Sequence, residues 1–271
     1  MNNYMKNFAQ KIRFFEGEIA KVSSSIYKRI PKGVVASELE YKTYFEKSCK
    51  RFAITMSLIP QKKSARVLDV GISPYFLALI IKKIFKYDII GIQSPREEWP
   101  EEKNDKPIKK DEIIKDIPEY YCNVEREKFP FGDKIFDIVI CTEGIEHLIQ
   151  DPLFMLKEIR RVMKKGGTMI LSTPNAISLY NRIKLLSGHN VFDWYSPYGP
   201  SGRHNRQFTV SELTDLLSKA NLVVDTIILA NKSTENMRKD YCKYSIVNPI
   251  YNFITTIFKN LRENIFIVSH P

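Results

Sequence analysis

The sequence predicts an α/β fold built on a mostly parallel sheet, with a helical cover at its N-terminal end. Three observations carry this. Short apolar runs rich in β-branched residues recur along the chain, as at 66–71, 88–93 and 136–141. Between them lie stretches whose apolar residues repeat at helical spacing. Residues 1–60 break the alternation and read as helical alone. Repeated β-α units imply parallel strands joined by right-handed crossovers. A chain of 271 residues suits one large domain or one domain with additions. The expected division is a helical extension over 1–60 and a main domain over 61–271.

In the extension, Ser37 is placed to cap a helix carrying Leu39, Tyr41, Tyr44, Phe45, Phe52 and Ile54, which ends before Pro60. The first strand is Arg66-Val-Leu-Asp-Val-Gly71. Pro74 then suits the first turn of a helix running to about Lys86. Asp88 to Gln93 is the second strand, followed by a polar loop from Ser94 to about Asp116. Tyr120 to Val124 reads as a short third strand and Phe136 to Cys141 as a fourth. Asp151-Pro152 starts a helix with Leu153, Leu156, Ile159 and Val162 on one face, and Gly166-Gly167 is expected to stop it. Thr168 to Thr173 is a fifth strand, broken by Pro174. A helix over Ser178 to Leu186 leads into a loop, Gly188 to Gln207, that is long for a compact domain and so expected to be functional. Thr209 and Glu212 have capping-box spacing. Leu222 to Leu229 is a sixth strand. An amphipathic helix over Asn248 to Leu261 precedes a last strand, Asn264 to Ser269. This helix can cover the sheet, pair with another subunit or lie on a membrane.

Hydrophobic residues make up 44% of the chain and aromatics 12%, enough for a sizeable core. Cys49, Cys122, Cys141 and Cys242 form no CxxC pair, which argues against a cysteine zinc site and fits a reducing compartment. The first residues lack the apolar core of a signal peptide, and no uncharged run is long enough to span a bilayer. A cytoplasmic protein is expected. The net charge of +11 is spread over separate groups such as Lys82/Lys83/Lys86 and Arg160/Arg161/Lys164/Lys165. These read as solvated faces of different elements, and no basic-aromatic stripe marks a nucleic-acid surface.

The chemistry concentrates at Phe136 to His147. If a helix begins where the fourth strand ends, Glu143, Glu146 and His147 share one face at i, i+3 and i+4. They would then stand over the carboxyl edge of the sheet, where ligands collect in open α/β folds. Close carboxylates repel, so a bound cation or a basic side chain is expected among them. The plainer alternative is a polar helix start in which acidic residues meet the helix dipole.

These motifs, in order, resemble those of the class I S-adenosylmethionine-dependent methyltransferases: Val67-Leu68-Asp69-Val70-Gly71; Phe131-Gly-Asp-Lys-Ile-Phe-Asp-Ile-Val-Ile-Cys; Glu143-Gly-Ile-Glu-His-Leu; Leu156-Lys-Glu-Ile-Arg-Arg-Val-Met-Lys-Lys-Gly-Gly; and Ser172-Thr-Pro-Asn175. The resemblance implies a Rossmann-like, doubly wound, seven-stranded sheet whose last strand is antiparallel. It implies S-adenosylmethionine as cofactor, held by Asp69, Gly71, Ile72, Ser73, Gln93, Asn123, Val124 and Thr142. The cofactor loop departs from the family by carrying one glycine, Gly71. Gln93 and Asn123 stand where acidic residues are usual, and each can still bond the ribose or the adenine. Backbone amides after Gly71 are expected to face the ligand.

Glu143, Glu146 and His147 also resemble the metal-binding Glu-x-x-Glu-His of small-RNA terminal 2′-O-methyltransferases and of methyltransferases that decorate bacterial surface glycans. His204 lies at the place of a further distal ligand. The resemblance implies a Mg²⁺, Mn²⁺ or Fe²⁺ site on Glu143, Glu146, His147 and His204, with Glu146, His147 and His204 as the catalytic set. Arg203 and Arg206 can hold a phosphate or carboxylate of the acceptor. The expected reaction is O-methylation of a small molecule or a surface-polysaccharide precursor. The rivals are an RNA 2′-O-methyltransferase and a non-catalytic cofactor-binding partner of another methyltransferase.

Overall fold

A computed structural model describes residues 2–27, 38–94, 117–192, 195, 202–231 and 247–271. Ser37, most of the 94–116 loop and part of the 188–207 loop lie outside the described residues. Seven strands form one sheet: β1 (Arg66–Val70), β2 (Asp88–Gln93), β3 (Glu119–Tyr121), β4 (Phe136–Thr142), β5 (Met163–Pro174), β6 (Val223–Ala230) and β7 (Asn264–His270). Their order is β3-β2-β1-β4-β5-β7-β6. Strands β1 to β5 pair in parallel, and β7 runs antiparallel to both β5 and β6.

The helices are α1 (Asn2–Tyr27), α2 (Glu38–Leu58), α3 (Phe76–Phe85), α4 (Leu153–Val162), α5 (Leu179–Leu186), α6 (Val210–Lys219) and α7 (Val247–Ile257). They cover both faces of the sheet. Successive strand residues point to opposite sides, so Val67 joins one core layer and Leu68 the other. The first layer holds Phe15 and Ile19 of α1, Phe45 and Phe52 of α2 and Ile80 of α3. The second holds Leu156 and Ile159 of α4 with Leu213 and Leu217 of α6. The N-terminal extension is therefore part of the main core. Its aromatic side chains interlock with the domain, as where the Phe45 ring meets Phe76 edge-on with centroids 5.0 Å apart.

Three local expectations are corrected. Pro74 is not in a helical turn: Tyr75 takes a left-handed φ of 67° as N-cap, its N–H bonds the Ile72 carbonyl at 2.7 Å, and α3 begins at Phe76. The third strand spans Glu119–Tyr121, because Asn123 turns the chain by accepting from the Glu125 N–H at 3.1 Å. Gly166-Gly167 does not end α4. The helix stops at Val162 and runs straight into β5, where the two glycines sit inside a bulge. Phe136 pairs with Met163 but Ile138 with Thr168, so β5 carries the extra residues. A Cβ on Gly167 would lie 2.9 Å from the Lys164 carbonyl oxygen and 3.2 Å from that of Phe136.

Candidate active site at the carboxyl edge of the sheet

The site is built where β4 ends. Glu143 follows the strand with φ of 51°, and a single 3-10 turn, Ile145–His147, replaces the α-helix that the spacing predicted. The left-handed residue and tight turn set Glu143 apart from Glu146 and His147, and Glu143 has partners of its own. One of its carboxylate oxygens lies 2.7 Å from Arg51 Nη1. The other accepts from Ser172 Oγ at 3.2 Å and Asn264 Nδ2 at 2.8 Å. Arg51 and Glu143 are each about 10% exposed.

Arg51 is the basic group that the close carboxylates required, and it arrives from α2. Its Nη2 donates to Tyr44 Oη at 2.9 Å and Ser48 Oγ at 3.1 Å. Burial works against its charge, but Tyr44, Glu143 and Glu146 outweigh that and hold it above the ordinary guanidinium value. The sequence offered one signal for Arg51: a cation opening an otherwise apolar helical run, Phe52 to Leu58. Asn264 and Thr173 gave no signal of a role in the site.

Glu146 is fully buried, and its Oε2 accepts from Thr173 Oγ1 at 3.0 Å. Its main-chain carbonyl accepts the N–H groups of Asn205 and Arg206 at 2.8 and 3.2 Å. Asn205 Nδ2 donates to the His147 carbonyl at 2.9 Å, and His147 Nδ1 lies 2.9 Å from the Arg203 carbonyl. These contacts fasten residues 203–206 onto 146–147 and bring His204 edge-on to His147, with ring centroids 4.9 Å apart. One donor atom from each of Glu146, His147 and His204 lies within 4.8 Å of the others. Glu143 is not a member of this group.

The Arg203 carbonyl can only accept, so His147 Nδ1 carries the hydrogen and Nε2 presents a lone pair. Metal-binding histidines adopt this arrangement, with the second nitrogen tied to a carbonyl or carboxylate. One carboxylate and two imidazoles suit a first-row divalent ion. The three residues therefore fit a cation. The arginines stand differently from the expectation. Arg203 Nε donates to Asn205 Oδ1 at 3.1 Å. Arg206 pairs with Glu212 of the α6 capping box at 3.1 Å and lies over the Phe208 ring.

The expected cofactor residues stand at or just past the carboxyl ends of β1, β2, β3 and β4. Asp69 is buried, and its pKa is pushed up to about 7 by burial and then by the charge of Glu119. Strand register aligns Asp69, Gly91 and Glu119 across three neighbouring strands. Gly91 leaves room for Ile72: a Cβ there would lie 2.6 Å from the Ile72 side chain. The N–H groups of Gly71 and Ile72 both bond the Ile92 carbonyl, at 2.8 and 3.3 Å, so Ile72, the first of the amides expected to face the ligand, is turned to β2 instead. Ser73 is half-buried in the same turn.

Gln93 supports cofactor binding most directly. It ends β2, is buried, and its Oε1 has no hydrogen-bond partner among the described residues. A buried acceptor left unmet costs about 1–3 kcal/mol, and a ribose hydroxyl would meet it. Asn123 Oδ1 already accepts one backbone N–H, Val124 is buried beside it, and Thr142 is half-buried at the end of β4.

Residues 41–227 match the family described as "Methyltransferase domain". An uncharacterized methyltransferase of Schizosaccharomyces pombe is 31% identical over 121 residues, 43% of this chain and 42% of its own length. A ubiquinone biosynthesis O-methyltransferase of Cereibacter sphaeroides is 34% identical over 104 residues, 38% of this chain and 40% of its own length. The matches thus span about two fifths of these relatives. Among solved structures, a methyltransferase from Archaeoglobus fulgidus described as SAM-dependent aligns with a TM-score of 0.53 and 18% identity, covering 85% of this chain and 99% of that one. Geranyl diphosphate C-methyltransferase from Streptomyces coelicolor aligns at 0.53 and 14% identity, covering 89% of each chain. At such identities these structures show the shared fold.

Proposed function

We propose that this chain, which belongs to the class I S-adenosylmethionine-dependent methyltransferases, methylates a hydroxyl oxygen of a small molecule or surface-polysaccharide precursor, with a divalent cation on Glu146, His147 and His204. The observation that carries the reading is the convergence of those three donor atoms within 4.8 Å, with His147 held in one tautomer. The O-methyltransferase name of the Cereibacter relative supports oxygen as the acceptor atom. Arg203 and Arg206 remain the proposed contacts for an anionic group on the acceptor.

S-adenosylmethionine supplies a methyl group on a positively charged sulfur, already activated for displacement. The chain must align the acceptor oxygen with that carbon, remove a proton and exclude water. Gln93 offers its amide oxygen to a ribose hydroxyl, and Asp69, Val124 and Thr142 border the same edge. A divalent ion held by Glu146, His147 and His204 would lower the pKa of a bound hydroxyl. His147 keeps its Nδ1 hydrogen on the Arg203 carbonyl, which leaves Nε2 for a cation or for a proton. Residues 203–206 bring His204 beside His147 through their clamp on Glu146 and His147.

The test is calorimetric titration of S-adenosylmethionine with Mn²⁺ present and then with chelator, followed by an acceptor screen. Glu146→Ala is expected to abolish turnover and bound metal while leaving cofactor affinity within about twofold, because the carboxylate lies outside the β1–β2 edge. Normal turnover in that variant would remove the metal reading. A second reading draws on the Gly71 and Ile72 amides being spent on Ile92: a chain that binds cofactor weakly and supports another methyltransferase. Undetectable cofactor binding in both titrations would favour it.

A further inference from the structure

We propose that α5 and α7 together form a docking surface for an anionic lipid bilayer. The two helices invert the pattern of the rest of the fold. Helix α3 buries Phe76 through Ile81, and α4 buries Met155, Leu156, Ile159 and Val162. Helix α5 buries Asn181 and leaves Tyr180, Ile183 and Leu186 exposed at i, i+3 and i+6, Leu186 by 89%. Helix α7 leaves Ile250, Phe253 and Ile257 exposed at i, i+3 and i+7, Phe253 by 67%. Each trio lies along one side of its helix. Apolar faces of this kind mark a binding surface.

The fold brings the two helices to one edge. Helix α5 follows β5, and α7 leads through a short 3-10 turn into β7, the antiparallel neighbour of β5. Pro174 pairs with Asn264 across that boundary. Asn175 Nδ2 then donates to the carbonyls of Asn260 and Arg262, at 2.9 and 2.7 Å. The root of α5 and the exit of α7 are thereby clamped beside the carboxyl edge that carries Glu146.

Charge selects the occupant. Residues 176–192 and 247–262 contain no Asp or Glu, and they carry Arg182, Lys184, Lys259 and Arg262. Arg262 turns inward, donating to the carbonyls of Thr255 and Leu229. Lys184 Nζ lies 5.8 Å from the centre of the Tyr180 ring. Arg182 is exposed on the same helix and donates through Nε to the Ile177 carbonyl, and Lys259 is exposed in the 3-10 turn after α7. Aliphatic and aromatic side chains flanked by lysine and arginine suit an anionic membrane interface. A second copy of this chain, also at +11, would meet the surface with like charge. Helix α7 has 11 residues, too few to cross a bilayer, and no helix among the described residues is long and apolar enough to do so. The helices would lie on the membrane.

The test needs neither cofactor nor acceptor, so it is independent of the methyl-transfer reading. The full chain is sedimented with vesicles of phosphatidylcholine alone and of equal parts phosphatidylcholine and phosphatidylglycerol. Binding to the mixed vesicles alone, weakened by salt, is expected. Lys184→Glu should weaken it by fivefold or more, from about 1 kcal/mol per lysine near the surface. Ile183→Asp with Phe253→Asp should weaken it by about tenfold or more. An unchanged melting temperature shows that the double variant is folded. If it does not fold, hydrogen exchange on the unaltered chain decides: added mixed vesicles must slow exchange in α5 and α7. No sedimentation with mixed vesicles, undiminished binding by the folded double variant, or unchanged exchange in both helices would each overturn the proposal. So would a concentration-dependent dimer that the double variant disperses and that ignores lipid.

Discussion

The ion pair between Arg51 and Glu143 joins the N-terminal helices to the end of β4, and a mutant cycle would measure what it holds. Its atoms are 2.7 Å apart and each side chain is about 10% exposed. At an effective dielectric near 20, unit charges about 4 Å apart interact by about 4 kcal/mol. Removing one partner of a buried pair typically costs about 3–5 kcal/mol because the other charge is stranded. Here Glu143 would keep Ser172 and Asn264, and Arg51 would keep Tyr44 and Ser48, so the lower end, about 3 kcal/mol, is expected. Arg51→Met keeps an unbranched side chain while removing the guanidinium that lies over the Phe52 ring, and Glu143→Gln preserves size. Each single variant should lose about 3 kcal/mol in urea unfolding followed by circular dichroism at constant m-value. The double variant removes both charges of the pair and should return to within about 1 kcal/mol of the starting protein, less what the buried Glu146 loses with Arg51. Single losses below about 1 kcal/mol that simply add in the double variant would refute the reasoning, since a solvent-screened pair behaves that way.

Asp69 makes stability depend on pH. Its folded pKa of about 7 lies above the ordinary 3.8, so its contribution is full below pH 4 and fades as pH rises through 7. The fade amounts to about 4 kcal/mol at most. Asp69→Asn should flatten that slope in urea melts at pH 5 and 8, and an unaltered slope would assign it elsewhere. Gly167→Ala forces a Cβ against two main-chain oxygens and should cost about 1–3 kcal/mol by the same assay; a neutral result would mean that the bulge relaxes. Gln93→Leu removes a buried acceptor that has no hydrogen-bond partner among the described residues and that the proposed cofactor would meet. Cofactor affinity should fall roughly fivefold while the unliganded chain keeps or gains stability, and loss of both would make Gln93 a structural residue instead.

The central sheet was legible because burial on both faces writes strands as unbroken apolar runs. β2 matches its expected span residue for residue, and the Thr209–Glu212 capping box forms as read. Gly166-Gly167 misled because a glycine pair serves a strand bulge as well as a helix end, and only the closeness of Phe136 distinguishes them. Spacing brought Glu143, Glu146 and His147 to notice together by assuming a helix at the strand's end, and the family resemblance added His204. One left-handed residue, φ 51°, removes that assumption. Arg51 answers a carboxylate 92 positions later in the chain, and no local pattern names a partner at that distance. The direction of the Gly71 and Ile72 amides follows from a turn completed by Tyr75, which composition does not report.

The clamp between residues 203–206 and 146–147 is made largely of main-chain groups: the carbonyls of Glu146, His147 and Arg203 and the N–H groups of Asn205 and Arg206. A fastening of that kind tolerates rewriting. Apart from Asn205, His147 and His204, the proposed ligand, neighbouring side chains can be exchanged without unhooking residues 203–206, since every residue except proline brings the same donor and acceptor. On the proposed reading, side chains around this clamp can change toward a new acceptor while Glu146, His147 and His204 stay seated, so that specificity and chemistry are inherited separately.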